Sequence, residues 1–310
     1  MNTQSNTMPG AFAVSGQVVP PIAKTRLFYW LVRRELWEHR SIYIAPVAAG
    51  GVVLFGFLIS LMRLPGRMRA ILAMDSMAQR EAIELHYMMV SGFLMLTAML
   101  VGAFYSIEAL HGERRDRGIL FWKSLPVSDL MTVLSKMSIP VVVVQLIAFV
   151  VTLAAWWMML LSSSAVLLRS PVSLAVLWTQ LPIFQMSAML LYHLLILHGL
   201  WHAPFYAWFL MVSSWAKRAP FLWAVVPPLA IGIVEKIAFN TSYFAGVLWN
   251  HLGGSPDSGS QAKGGMDMAG MLGRFAPLEL LTAPDLWAGL ALTAIFLAVA
   301  VRLRRDREPI

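Results

Sequence analysis

The chain of 310 residues contains no cysteine, and only 13% of it is Asp, Glu, Lys or Arg. Without cysteine there is no disulfide framework, no thiolate metal site and no cysteine nucleophile. Soluble domains carry about a quarter charged residues, so half that share excludes an ordinary soluble enzyme. Also missing are a GxSxG nucleophile elbow, a GxxxxGK[ST] phosphate loop and any paired-carboxylate motif. The chain therefore has no recognisable means of binding and hydrolysing ATP itself. No internal repeat period is visible. Residues 1–23 lack charge, and no basic region precedes their weak apolar patch, so a cleaved signal peptide is not expected.

What is present is apolar. Hydrophobic residues make up 58% of the chain, with 16 Phe and 12 Trp, far too many for a disordered polymer. They cluster in runs near the ~20 residues that a bilayer crossing needs. Six spans are expected, near 42–61, 86–107, 139–161, 187–212, 221–239 and 284–302, making the fold class an all-α integral membrane protein. The fourth is the hard case, because no charged residue occurs between Arg169 and Lys217. Residues 172–186, broken by Pro182, read as an interfacial approach to one long span rather than as a crossing of their own.

Six crossings put both termini on one side, and basic residues choose the side. Lys and Arg number sixteen in the N-terminal segment, the 108–138 loop, Lys217-Arg218 and the C-terminal tail, against eight on the other side. The bias makes the first set cytoplasmic. The same bias accounts for the net charge of +8 without any nucleic-acid partner. The weak point is the 62–85 loop, which carries four Arg to the outside. Before the first span, residues 24–41 alternate Leu27, Trp30, Leu31, Leu36 and Trp37 with Arg26, Arg33, Arg34 and Arg40, the pattern of an amphipathic interfacial helix. A long outer loop, 240–283, has a Gly/Ser-rich middle between aromatic flanks.

Chemistry-bearing residues are few. His198 and His202 stand one helical turn apart in HGLWH, but Gly199 occupies the place where a zincin needs Glu, and His193 falls nearly opposite on a regular helix. No metal site is expected, and Met266, Met268 and Met271 read as filler in a flexible loop rather than copper ligands. Glu235, near the outer end of span five, is either a pathway acid facing the bundle or a side chain reaching the headgroups. Pro227 and Pro228 should kink the same helix. Gln145, in span three, and Gln185, before span four, are weaker polar marks.

The most informative stretch is Glu108 to Lys136. Glu113, Arg114, Arg115, Asp116 and Arg117 close span two, GILFWKSL follows, and Pro126 with Ser128-Asp129 starts a new helix by capping logic. Ile119, Leu120, Phe121 and Trp122 together exceed the needs of a solvated loop; they suit a short amphipathic helix presented to another protein, or one resting on the inner leaflet. Glu108, Gly112, Glu113, Arg114 and the run from Leu120 to Ser128 resemble the coupling-loop motif of the permease subunits of type-2 ABC exporters. The spacing departs from the motif where Arg115 and Asp116 separate Arg114 from Arg117-Gly118. The similarity covers the amphipathic N-terminal helix, the six spans, the loop position and the long last outer loop.

That resemblance implies a non-catalytic permease in a bacterial inner membrane. Its cytoplasmic segment 1–23 and connecting helix 24–41 would precede a permease domain 42–303 and a cytoplasmic tail 304–310. It implies a coupling helix docking through Glu113, Arg114, Arg117, Phe121, Trp122 and Lys123 on a separate ABC ATPase, which holds the ATP and Mg. Two ATPase copies and a second permease chain, most simply identical, would complete the assembly. No cofactor is implied on this chain; Glu235, Gln145, His198 and His202 are the pathway candidates. The alternative is a membrane-embedded metal-dependent enzyme using His198, His202 and Glu235, and a third possibility is a regulatory membrane protein without an ATPase partner.

Overall fold

A computed structural model of the chain describes residues 23–116, 127–171, 175–253, 281 and 283–306, and these are folded as helices joined by short turns. Among the described residues, six helices are long and apolar enough to cross a membrane. An amphipathic helix, α1 (Lys24–Glu38), precedes them. It buries Leu31 and Glu35, and leaves Trp30 and Trp37 exposed with the Arg33 guanidinium over both rings. That is the two-faced pattern the sequence predicts.

Span one is α2 (Ser41–Ser60). It passes through a tight turn at Leu61–Arg63 into α3 (Leu64–Leu72), so most of the expected 62–85 loop is helical. Pro65 sits in the first turn of α3, where a missing N–H costs nothing, and Met68 and Ile71 are buried. Span two belongs to α4 (Ser76–Arg115), whose 40 residues extend about 60 Å, twice the hydrocarbon thickness. Asp75 caps its start by accepting from the Ala78 N–H at 3.3 Å.

Ser128 likewise caps α5 (Asp129–Ser138), as the sequence predicts, accepting from the Met131 N–H at 3.3 Å. A π-wound segment, Ile139–Val143, joins α5 to α6 (Val144–Leu167), and together they make span three. Among the described residues of 172–186, the short α7 (Ala175–Gln180) precedes Pro182, which starts α8 (Ile183–Tyr192). The apolar stretch long enough to cross runs over Leu177–Trp201, so this region is part of the span rather than only an approach to it. A second π-wound segment, His193–Trp201, follows, and one turn residue, His202, leads into α9 (Ala203–Trp215). α10 (Pro220–Phe239) runs unbroken through Pro227 and Pro228; α11 (Tyr243–Gly253) covers the first flank of the expected outer loop; and α12 (Pro284–Asp306) is the last span. The expected tail boundary at 303/304 therefore falls inside a helix.

α4 is the central column, packed by α2, α6 and α9, with α12 lying along α9. Small residues set the approach distances. A Cβ on Gly50 would stand 2.8 Å from Val151, so spans one and three meet backbone to side chain. The prolines of α10 show how such a helix stays satisfied. Pro228 has no N–H for the Ala224 carbonyl four residues earlier, and Trp208 Nε1 donates to that carbonyl at 2.9 Å instead.

Candidate functional site: a buried ion network at one end of the bundle

The ends of α1, α4, α5, α9 and α12 gather at one end of the bundle. Glu35 of α1 and Glu113 of α4 are both almost fully buried, and the Lys136 ammonium of α5 lies between them, 2.8 Å from Glu35 and 3.2 Å from Glu113. Arg304 of α12, also buried, pairs with the second Glu113 oxygen through Nη1 and with Asp129 through Nε at 3.0 Å. Tyr105 donates to Glu35 at 2.7 Å. Arg34 stands 3.6 Å from Glu113 and pairs with Glu38 at 2.8 Å. Two buried anions thus face two buried cations, with partly exposed charges at the margin. Such pairing is what makes burial of charge tolerable.

Arg114 turns the other way. Its Nη1 donates to the Ser214 carbonyl at 2.9 Å and the Ala216 carbonyl at 3.4 Å, two of the acceptors left free where α9 ends. Ser213 Oγ accepts from the N–H groups of Leu110 and His111 at 2.9 and 2.8 Å, while His111 Nδ1 lies 3.1 Å from the Ala216 oxygen. Consecutive residues, Glu113 and Arg114, therefore tie the end of α4 to four other helices. Arg117, Phe121, Trp122 and Lys123, the rest of the expected coupling surface, lie outside the described residues. So do Met266, Met268 and Met271.

The sequence flags Glu113 and Arg114 but misses Glu35, Lys136 and Arg304 as their partners. Lys136 and Arg304 enter the basic count merely as surface charges. Nothing local marks them as buried: the pairs span separations of 101 and 191 residues in the chain.

The pathway candidates are scattered. The Glu235 carboxylate reaches the start of α11. Its Oε1 accepts from Thr241 Oγ1 at 2.9 Å and from the Tyr243 N–H at 2.6 Å, and its Oε2 accepts from the Phe244 N–H at 2.9 Å. A carboxylate at the start of α11 satisfies orphan donors and opposes the helix dipole. Asn240, in the left-handed conformation at φ 51°, makes the turn that brings it there. Gln145 is completely buried and donates to the Pro140 carbonyl at 3.0 Å.

His198 and His202 have ring centroids 5.3 Å apart. Contrary to the regular-helix expectation, His193 also neighbours His198, because the π-wound backbone brings residues five apart to one side. Even so, no three His, Asp or Glu side chains among the described residues stand close enough to share a metal ion.

At the opposite end of α4, an open cleft of 170 Å³ is lined by Arg80, Glu84, Met88, Trp156, Gln185 and Met189. Arg80 and Glu84 pair at 2.7 Å at its edge, so a charged rim meets an apolar, Met-containing wall. The chain matches no protein-family model, no curated protein and no solved structure, and its functional reading rests on its own residues.

Proposed function

We propose that the chain is the transmembrane permease subunit of an ATP-binding-cassette exporter in a bacterial inner membrane, with both termini cytoplasmic. Two copies would assemble with two ATPase subunits, which bind and hydrolyse ATP with Mg. The observation that carries this reading is the ion network. Glu113 and Arg114, which precede residues 117–126 in the chain, and Asp129, which follows them, are tied to α1, α9 or α12. A displacement applied to that segment is delivered to several spans at once, as a coupling element requires. The basic excess supports placing this end in the cytoplasm. The charged-rimmed, apolar cleft at the other end suits an amphipathic cargo such as a lipid, peptide or hydrophobic drug. The metal-enzyme alternative draws less support, since Glu235 is spent on α11.

The test is Trp122→Ala and Arg117→Ala, made in the full chain co-expressed with its ATPase and reconstituted in liposomes. Interface energy concentrates in aromatic and Arg residues, so either change should weaken association by about 2 kcal/mol or uncouple hydrolysis from cargo. An outer-loop control, Met268→Ala, should change neither. Wild-type ATPase recovery and coupled hydrolysis in both variants would remove the exporter reading's main support.

A further inference from the structure

The middle of the bundle holds polar side chains that the ion network does not use, and they lie where two π-wound segments meet. The Ile139–Val143 segment contains Pro140, which lacks an N–H, and Gln145 Nε2 donates to the Pro140 carbonyl from five residues ahead. In His193–Trp201 the wide winding turns His193 toward His198, and His202 Nδ1 donates five residues back to the Leu197 carbonyl at 2.7 Å. The two segments touch at Gly199, where a Cβ would lie only 2.5 Å from the Val141 oxygen. Such windings are rare and concentrate at functional positions.

The hydrogen-bonding inventory of this region does not close within the protein. His193 is 1% exposed and donates through Nδ1 to the Met189 carbonyl at 2.8 Å, which leaves Nε2 as a bare lone pair. Gln145 is 0% exposed and, with its amide group on Pro140, leaves Oε1. The Tyr206 hydroxyl, 1% exposed, lies beside the Gln145 side chain. His198 Nδ1 is sealed from solvent as well. None of these four atoms has a partner among the described residues. Buried polar atoms are nearly always paired, and where protein leaves them over, ordered water takes them up. At least two of the four are acceptors in need of a donor, and the one hydroxyl supplies a single proton. Water, with two protons and two lone pairs, matches both the need and the neutrality of the region.

We propose that water molecules bind inside the span region between the two π-wound segments, donating to Gln145 Oε1 beside Tyr206 and to His193 Nε2, and pairing with His198 Nδ1. The site is independent of the exporter reading, since it concerns the core of the bundle and not its charged end. Radiolytic hydroxyl-radical labelling of the full chain in membrane vesicles tests it, because radicals born from bound water mark adjoining side chains that bulk solvent does not reach. Tyr105 is the internal control: it is buried and hydrogen-bonded to Glu35. After correction for intrinsic reactivity, Tyr206, His193 and His198 should label several-fold faster than this control. Gln145→Leu should bring Tyr206 down to the Tyr105 rate and leave His193 labelled. Wild-type Tyr206 and His193 labelling at the control rate would overturn the proposal, and that comparison decides the matter even if Gln145→Leu does not fold.

Discussion

Lys136 is 1% exposed, and its ammonium survives burial because two carboxylates and their own partners surround it. Removing one member of a buried pair leaves an uncompensated charge, at a cost of about 3–5 kcal/mol. Lys136→Met should therefore lower the thermal unfolding temperature of the purified protein sharply, and adding Glu35→Gln should recover part of the loss. A Lys136→Met protein as stable as wild type would show that the network is not what holds α1 and α5 together. Glu235 makes a contrasting case. As a cap for α11 at a solvent-screened position its charge contributes little, so Glu235→Gln should barely lower the unfolding temperature and leave cargo transport unchanged. A transport defect at normal membrane abundance would return this residue to the pathway. Glu35 and Glu235 look alike in sequence, each beside a basic neighbour, and only their surroundings make one essential and the other minor.

At the scale of elements, apolar run length located the spans, because about 20 apolar residues have few other uses, although the fourth runs over Leu177–Trp201 rather than 187–212. Regular helical periodicity misjudged the second π-wound segment. On a regular helix His193 and His198 lie on different faces; on a π-wound one they are neighbours. The signs were present but ambiguous. Pro140 and Gly199 are ordinary in a membrane helix, and nothing adjacent says that the Val141 carbonyl will press on Gly199. This contact gives a sharp expectation. Gly199→Ala places a methyl against backbone that has no rotamer to yield, and should destabilise by about 1–3 kcal/mol. Gly51→Ala, in open space on span one, should be neutral or stabilising by up to about 1 kcal/mol. Melting curves of the two variants side by side decide whether the π–π contact is tight.

For the whole molecule, the gathering of α1, α4, α5, α9 and α12 at one end agrees with six alternating crossings and with a single crossing between Arg169 and Lys217. Reporter fusions at 165 and 260 should read external, and those at 120 and 305 cytoplasmic. An external signal at 305 would require a seventh span. α10 is the least enclosed crossing: Ala224 is its sole buried residue, and Leu222, Val226, Leu229, Ile233 and Ile237 are exposed. That face meets lipid or another chain, and a second permease copy is the occupant that the proposed function requires.

The amino-acid sequence alone determined the membrane class, the number and rough position of the long apolar helices, the amphipathic entry helix and the helix start at Ser128. Each depends on composition, periodicity or capping within a few residues of itself. The tertiary structure alone decided that Lys136 and Arg304 are interior rather than surface charges, that Glu235 caps a neighbouring helix, and that four polar atoms are sealed in the core. These outcomes depend on which distant helix supplies the partner. A buried charge is tolerable only beside its counter-charge, and a local sequence pattern does not record a counter-charge that lies a hundred residues away.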